Sequence, residues 1–263
     1  MKKYLYIYKS EIMSSLQYVA NIFLNFIGYF ILIYIFFNLW DYIYSNPDEL
    51  INGYSKAQMI WYVVLTELFW KTLGGRTLCK KIVEDVKGGN IAYNMNKPYS
   101  YLGYALSSHL GEITVRGALY SVLGIIIGYM FLGTFPTLTF IQAVIVILSS
   151  ILAIIISILI VILIGLLSFK IEDAIPVYWL YSKVILILGT IFPIEFFPIA
   201  MQGILKYSPI YVISYGPAKL FVNFDYTNAI YVLLAQILYL IITYLLCAFS
   251  YKKGVRKLNV NGG

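Results

Sequence analysis

His109, Glu112 and Arg116 follow one another at i, i+3 and i+7, a spacing that stacks an imidazole, a carboxylate and a guanidinium on one face of a helix. A histidine and a glutamate one turn apart can offer two metal ligands, or an acid and a base acting on a lipid. The plainer reading is a hydrogen-bonded interfacial histidine beside a Glu112–Arg116 pair. Glu67 and Lys71 pose the same choice four residues apart in an apolar segment. Ionisable groups inside a span are costly, so they either line a pathway or pair to lower that cost. An ion-coupled carrier would use Glu67. For both pairs the spacing favours pairing within the helix, with Glu67, Lys71, Glu112 and Arg116 kept as candidate pathway residues.

Other chemistry has no recognisable device here. The sequence contains no GxxxxGK[ST] phosphate loop, no GxGxxG, no HExxH and no CxxC, so no cofactor or metal is expected on this chain. Cys79 and Cys247 are its two cysteines, both expected on the reducing side, and no disulfide is expected. A carrier of the inverted-repeat kind would show related halves, and 1–132 does not match 137–263.

The elements that must hold these residues are set by composition. Of 263 residues 61% are hydrophobic and 12% charged, too little polar surface to coat a water-soluble globule. The expected fold is an all-α polytopic membrane protein, one permease-like domain over 1–263 with six transmembrane helices at about 19–40, 57–73, 117–132, 140–169, 177–192 and 228–249. The 53 residues between Arg116 and Lys170 carry no charge, enough for two spans around a turn at 133–137 (GTFPT). Residues 101–116 read as a polar interfacial lead-in to the third span. Residues 1–17, with Lys2, Lys3 and Lys9 among apolar positions, read as a helix lying on the membrane surface. Trp40 and Tyr42 read as markers of the outer interface.

Charge asymmetry orients the chain. Inner segments would hold Lys2, Lys3, Lys9, Arg76, Lys80, Lys81, Lys87, Lys97, Lys170 and the four basic residues of the tail; outer segments would hold Lys56, Lys206 and Lys219. Both termini are therefore expected inside. The net charge of +7 is read as this anchoring, not as a nucleic-acid surface. The acidic outer loop 41–56 includes Asp48 and Glu49. The stretch 193–225 is broken by Pro193, Pro198, Pro209 and Pro217 and carries Glu195, Lys206 and Lys219, so it is expected as a re-entrant hairpin on the outer face.

Residues 74–104 form the one long polar interruption. Within it 77–87 reads as an amphipathic helix with Leu78, Ile82, Val83 and Val86 on one face, Lys80, Lys81, Glu84 and Lys87 on the other, and Gly88 and Gly89 as its stop. A helix so held between two spans can transmit force to a partner.

Four segments in this order resemble the permease subunits of bacterial type-two ABC exporters: 9–23 (KSEIMSSLQYVANIF), 86–104 (VKGGNIAYNMNKPYSYLGY), 193–198 (PIEFFP) and the basic tail 251–263 (YKKGVRKLNVNGG). The resemblance covers nearly the whole chain. It implies a half-transporter in the bacterial cytoplasmic membrane that joins a second permease chain, identical or different, and two cytosolic ABC ATPase subunits. ATP and Mg would sit on those ATPases. It also makes the amphipathic segment a coupling helix, with an ATPase contact at Val83, Glu84, Asp85, Val86, Lys87, Gly88, Gly89 and Asn90. The alternatives are an integral membrane enzyme acting on lipids through His109 and Glu112, or an ion-coupled secondary transporter.

Overall fold

The computed structural model describes residues 2–44, 46 and 49–261, with side chains at all of these except 19–24, 92, 95 and 257–261. Ser45, Pro47 and Asp48 of the expected acidic loop lie outside the described residues. The described chain is α-helical, with a single isolated antiparallel bridge between Ile51 and Tyr54.

Eleven α-helices follow in order among the described residues: α1 Lys2–Leu16, α2 Val19–Ile43, α3 Lys56–Leu73, α4 Arg76–Lys87, α5 Asn90–Met95, α6 Tyr101–Leu132, α7 Phe140–Leu166, α8 Ile175–Ile185, α9 Ile199–Lys206, α10 Gly216–Val222 and α11 Tyr226–Asn261. Among the described residues four stretches are long and apolar enough to cross a membrane: Asn25–Ile43, Tyr101–Leu132, Phe140–Phe169 and Tyr226–Arg256. The fold is therefore that of an all-α, multi-pass membrane protein. Helix α3 has 18 residues, and its Lys56, Glu67 and Lys71 make it the polar member of the set.

Local chemistry explains the boundaries. Ser55 and Thr139 cap α3 and α7 with complete capping boxes to Gln58 and Gln142, and Ser100 caps α6 through Gly103 N. Pro176 sits in the first turn of α8, where its missing N–H costs nothing. The expected lead-in and third span are one helix. At 1.5 Å per residue α6 is about 48 Å long, more than the ~30 Å hydrocarbon core, so its polar first half can extend beyond the lipid. Helix α11 likewise runs on without a break to Asn261.

Helix α8 does not stop at its last α-turn. It continues through a π-helical turn, Leu186–Thr190, and a second π-helical turn, Tyr211–Tyr215, precedes α10. Such turns free backbone carbonyls that lipid cannot solvate. Here Ser214 Oγ donates to Gly189 O at 2.5 Å, Thr66 Oγ1 to Thr190 O at 2.8 Å and Tyr62 OH to Gly189 O at 3.4 Å. The two irregular turns are thus stitched to each other and to α3.

Residues 193–222 form broken helices rather than a span: a short 3-10 turn Ile194–Phe196, then α9 and α10, the last packed on α3 and α7 through buried Pro217, Ala218 and Leu220. Of the two residues expected as interface markers, Trp40 packs inward and Tyr42 does not. Trp40 is 1% exposed and meets Tyr44, Phe192 and Phe196 in tilted or edge-on contacts, whereas Tyr42 is 89% exposed. The proline-rich segment folds back onto the end of α2, and Trp40 fills that junction.

Helix α1 lies along the first half of α6. Tyr4 OH bonds Ser100 Oγ at 3.1 Å, Ser108 Oγ donates to Glu11 Oε1 at 2.8 Å, Tyr8 OH meets Thr114 Oγ1 at 3.2 Å, and the Lys3 ammonium donates to Pro98 O.

Candidate functional site

The polar interruption builds a compact corner between α3 and α6. Helix α3 ends at Gly74, whose φ of +31° is a conformation that side-chain-bearing residues rarely adopt. The Arg116 guanidinium lies where a Gly74 side chain would go. Val161 and Tyr178 close over the next residue, Gly75. The chain must turn here within two residues, and glycine supplies both the backbone conformation and the room.

Helix α4 then buries the apolar face that its spacing marks. Leu78, Cys79, Ile82, Val83 and Val86 are all buried, packed against α7 and α8. Gly165 of α7 allows this approach, because a Cβ there would stand 2.9 Å from Ile82 Cβ. The helix ends at Lys87, and Gly88 and Gly89 (φ +72°) turn the chain into α5.

The residues assigned to the coupling contact therefore divide. Glu84, Lys87, Gly88, Gly89 and Asn90 are exposed. Val83 and Val86 are core residues, 2% and 7% exposed, and cannot touch a partner without unpacking α4. Asp85 turns inward and accepts a 2.8 Å hydrogen bond from Tyr101 OH. Lys80 and Glu84 pair across the exposed face at 3.6 Å, and Lys81 Nζ donates to Tyr104 OH at 3.0 Å.

The other candidate residues also separate. Arg116 Nη2 donates to Glu112 Oε1, the expected i, i+4 pair. Glu67 and Lys71 form no such ion pair. Glu67 is 1% exposed and its Oε2 finds no hydrogen-bond partner among the described residues, while the Lys71 ammonium is directed towards Gly28 of α2. His109 sits among protein groups: Nδ1 lies 3.0 Å from Glu112 Oε2 and Nε2 3.1 Å from Leu73 O. No group of three or more metal-ligating side chains occurs among the described residues.

A second polar cluster lies at the opposite end of α3, around Glu195. Tyr215 OH donates to its Oε1 at 2.6 Å, Lys219 Nζ to the same oxygen at 3.1 Å, and Tyr54 OH to Oε2 at 3.0 Å. Lys219 also bonds Tyr54 OH at 2.7 Å. These partners leave the Glu195 side chain 31% exposed. The i, i+4 spacing of Tyr215 and Lys219 was the available signal, but nothing in the spacing joins them to Glu195 or Tyr54. Beside the cluster a tyrosine-rich groove of about 660 Å³ runs between this segment and α11, bordered by Lys206, Tyr211 and Tyr231.

Comparison with known families decides what this architecture is. The family model described as ABC-2 family transporter protein matches residues 23–262. The chain belongs to the ABC-2 transporter family. It is a membrane permease of an ABC transporter. No curated protein matches this ABC-2 permease.

Proposed function

We propose that this ABC-2 permease is half of an exporter's membrane portion, paired with a second permease chain and driven by two cytosolic ATPases through the exposed end of α4. One observation carries the reading. Helix α4 is fastened to the bundle by its apolar face while Glu84, Lys87, Gly88, Gly89 and Asn90 are exposed at its end. A lever needs that asymmetry: a rigid attachment on one side and an unoccupied polar edge on the other. ATP and Mg belong to the partner, and this chain contributes the path and the transmission.

The topology that fits has six spans, adding α3 and α8 with its π-helical turn to the four longest stretches. Both termini and α4 face the cytoplasm of a bacterial plasma membrane, as the excess of Lys and Arg on that side supports. The Glu195 segment then lies outside, and the path runs between the two permeases. The test is co-purification of a cytosolic ATPase with the tagged permease from native membranes. Glu84→Lys with Lys87→Glu should reduce ATPase recovery at least tenfold at unchanged permease level. Undiminished recovery would remove α4 from the contact.

A further inference from the structure

Histidine occurs once in this chain, and the structure buries it at the corner where α4 leaves α3. The His109 side chain is 1% exposed, with Nε2 3.1 Å from Leu73 O and Nδ1 3.0 Å from Glu112 Oε2. A carbonyl oxygen only accepts, so Nε2 must carry a hydrogen. A neutral imidazole in that tautomer offers a bare lone pair at Nδ1. An ionised Glu112 also offers only lone pairs, and two acceptors at hydrogen-bonding distance repel. The contact becomes a hydrogen bond with one further proton, on Nδ1 or on Oε2.

We propose that His109 and Glu112 form a buried proton-binding site, holding one proton more than a neutral imidazole and a carboxylate together, and that this proton fastens α6 to the α3–α4 corner. The charged groups around the ring come from three helices. Arg116 of α6, which donates to the other oxygen of Glu112, and Lys81 of α4 are cations whose charge opposes an added proton, whereas Glu11 of α1, which accepts from Ser108 beside the ring, favours it. Glu112 is 32% exposed and borders a groove with Glu11, Ser14, Thr77 and Arg116, which gives the proton a route to water. Binding transfers one proton from solvent to the pair and breaks no covalent bond. Its loss frees Nδ1 and leaves the corner held by the Leu73 bond and the packing over Gly74 and Gly75.

The single histidine makes the test unambiguous. The full chain, labelled with ring-¹⁵N histidine and reconstituted in lipid nanodiscs, is followed by NMR between about pH 5 and 9, the range around the ordinary imidazole value. The expected result is an Nε2–H signal throughout and a deshielded, exchange-protected proton bridging Nδ1 and Glu112 over at least the acid part of the range. Glu112→Gln keeps the volume and an oxygen for Arg116, and its amide can donate to Nδ1 without an added proton. That variant should lose the bridging proton, keep Nε2–H and show a spectrum constant with pH. An Nδ1–H tautomer with bare Nε2 would overturn the proposal, as would a wild-type ring lacking the bridging proton at every pH. Should Glu112→Gln fail to fold, the wild-type titration decides alone.

Discussion

The Tyr101 hydroxyl donates to Asp85 Oδ2 at 2.8 Å, and the Tyr101 ring stacks on Tyr251 with centroids 5.6 Å apart and planes 5° from parallel. One side chain of α6 thus ties the amphipathic helix α4 to the basic end of α11. Tyr101 is 2% exposed, so the bond to Asp85 is shielded from water. Tyr101→Phe keeps the stacking and removes only the bond, which for a charged acceptor contributes about 1.5–3 kcal/mol. The variant should insert normally and melt at a lower temperature in detergent; an unchanged melt would mean that Asp85 is held by its helix alone. Reversing Asp85 together with Glu84 would break this internal tie as well as any docking contact, so Glu84 is the residue to reverse.

The Glu195 cluster makes a prediction with a sign. Burial pushes the Glu195 carboxyl up, and the Tyr215 hydroxyl and the Lys219 ammonium together more than offset it, leaving the group below its ordinary value. A carboxyl lowered by folding stabilises the fold above the unfolded value, about 4.3, and loses that contribution as pH falls through its lowered folded value. The melting temperature of the wild type should therefore fall more steeply below about pH 4 than that of Glu195→Gln, which has no such proton to gain. Parallel pH profiles would show that the carboxylate is not held by its tyrosine and lysine partners. Insertion should be normal in both proteins.

Orientation is testable by thiol labelling at exposed positions. Cys79 is a poor probe: it is 1% exposed, and burial pushes its thiol up to about 11, so it stays unreactive on either side of a membrane. Thr227→Cys and Lys87→Cys replace exposed residues at the two ends of the molecule. In intact cells an impermeant thiol reagent should label the first and spare the second, with both labelled after permeabilisation. The reverse pattern would invert the topology.

How much of this was legible in the sequence depends on whether the cause was local. The amphipathic face of α4 and its glycine stop were, since helical spacing and backbone freedom fix them within a dozen residues. The uncharged stretch after Arg116 gave α7 for the same reason. The burial of Trp40 was not legible because its partners Phe192 and Phe196 lie some 150 residues away. The Glu67–Lys71 pair failed because packing directs Lys71 towards α2, a choice that i, i+4 spacing leaves open. Val83 and Val86 entered the coupling contact by resemblance to a segment, which does not distinguish the two faces of a helix. His109 was visible as a candidate; its bond to Leu73 O, made by a backbone group 36 residues earlier, was not.

In the proposed complex the exposed polar edge of α4 touches the ATPase. A photo-crosslinking amino acid placed at Lys87 in the full chain, within membranes that also contain the co-purifying ATPase, tests it most directly. Thr227 is the control: it lies just beyond Val222, whose carbonyl accepts from Gln58 at the start of α3, whereas Lys87 lies beyond its end. The 18 residues of α3 hold those two ends about 27 Å apart. The account predicts a covalent permease–ATPase product from Lys87 and none from Thr227; a product from Thr227 with none from Lys87, or none from either in an assembled complex, would contradict it.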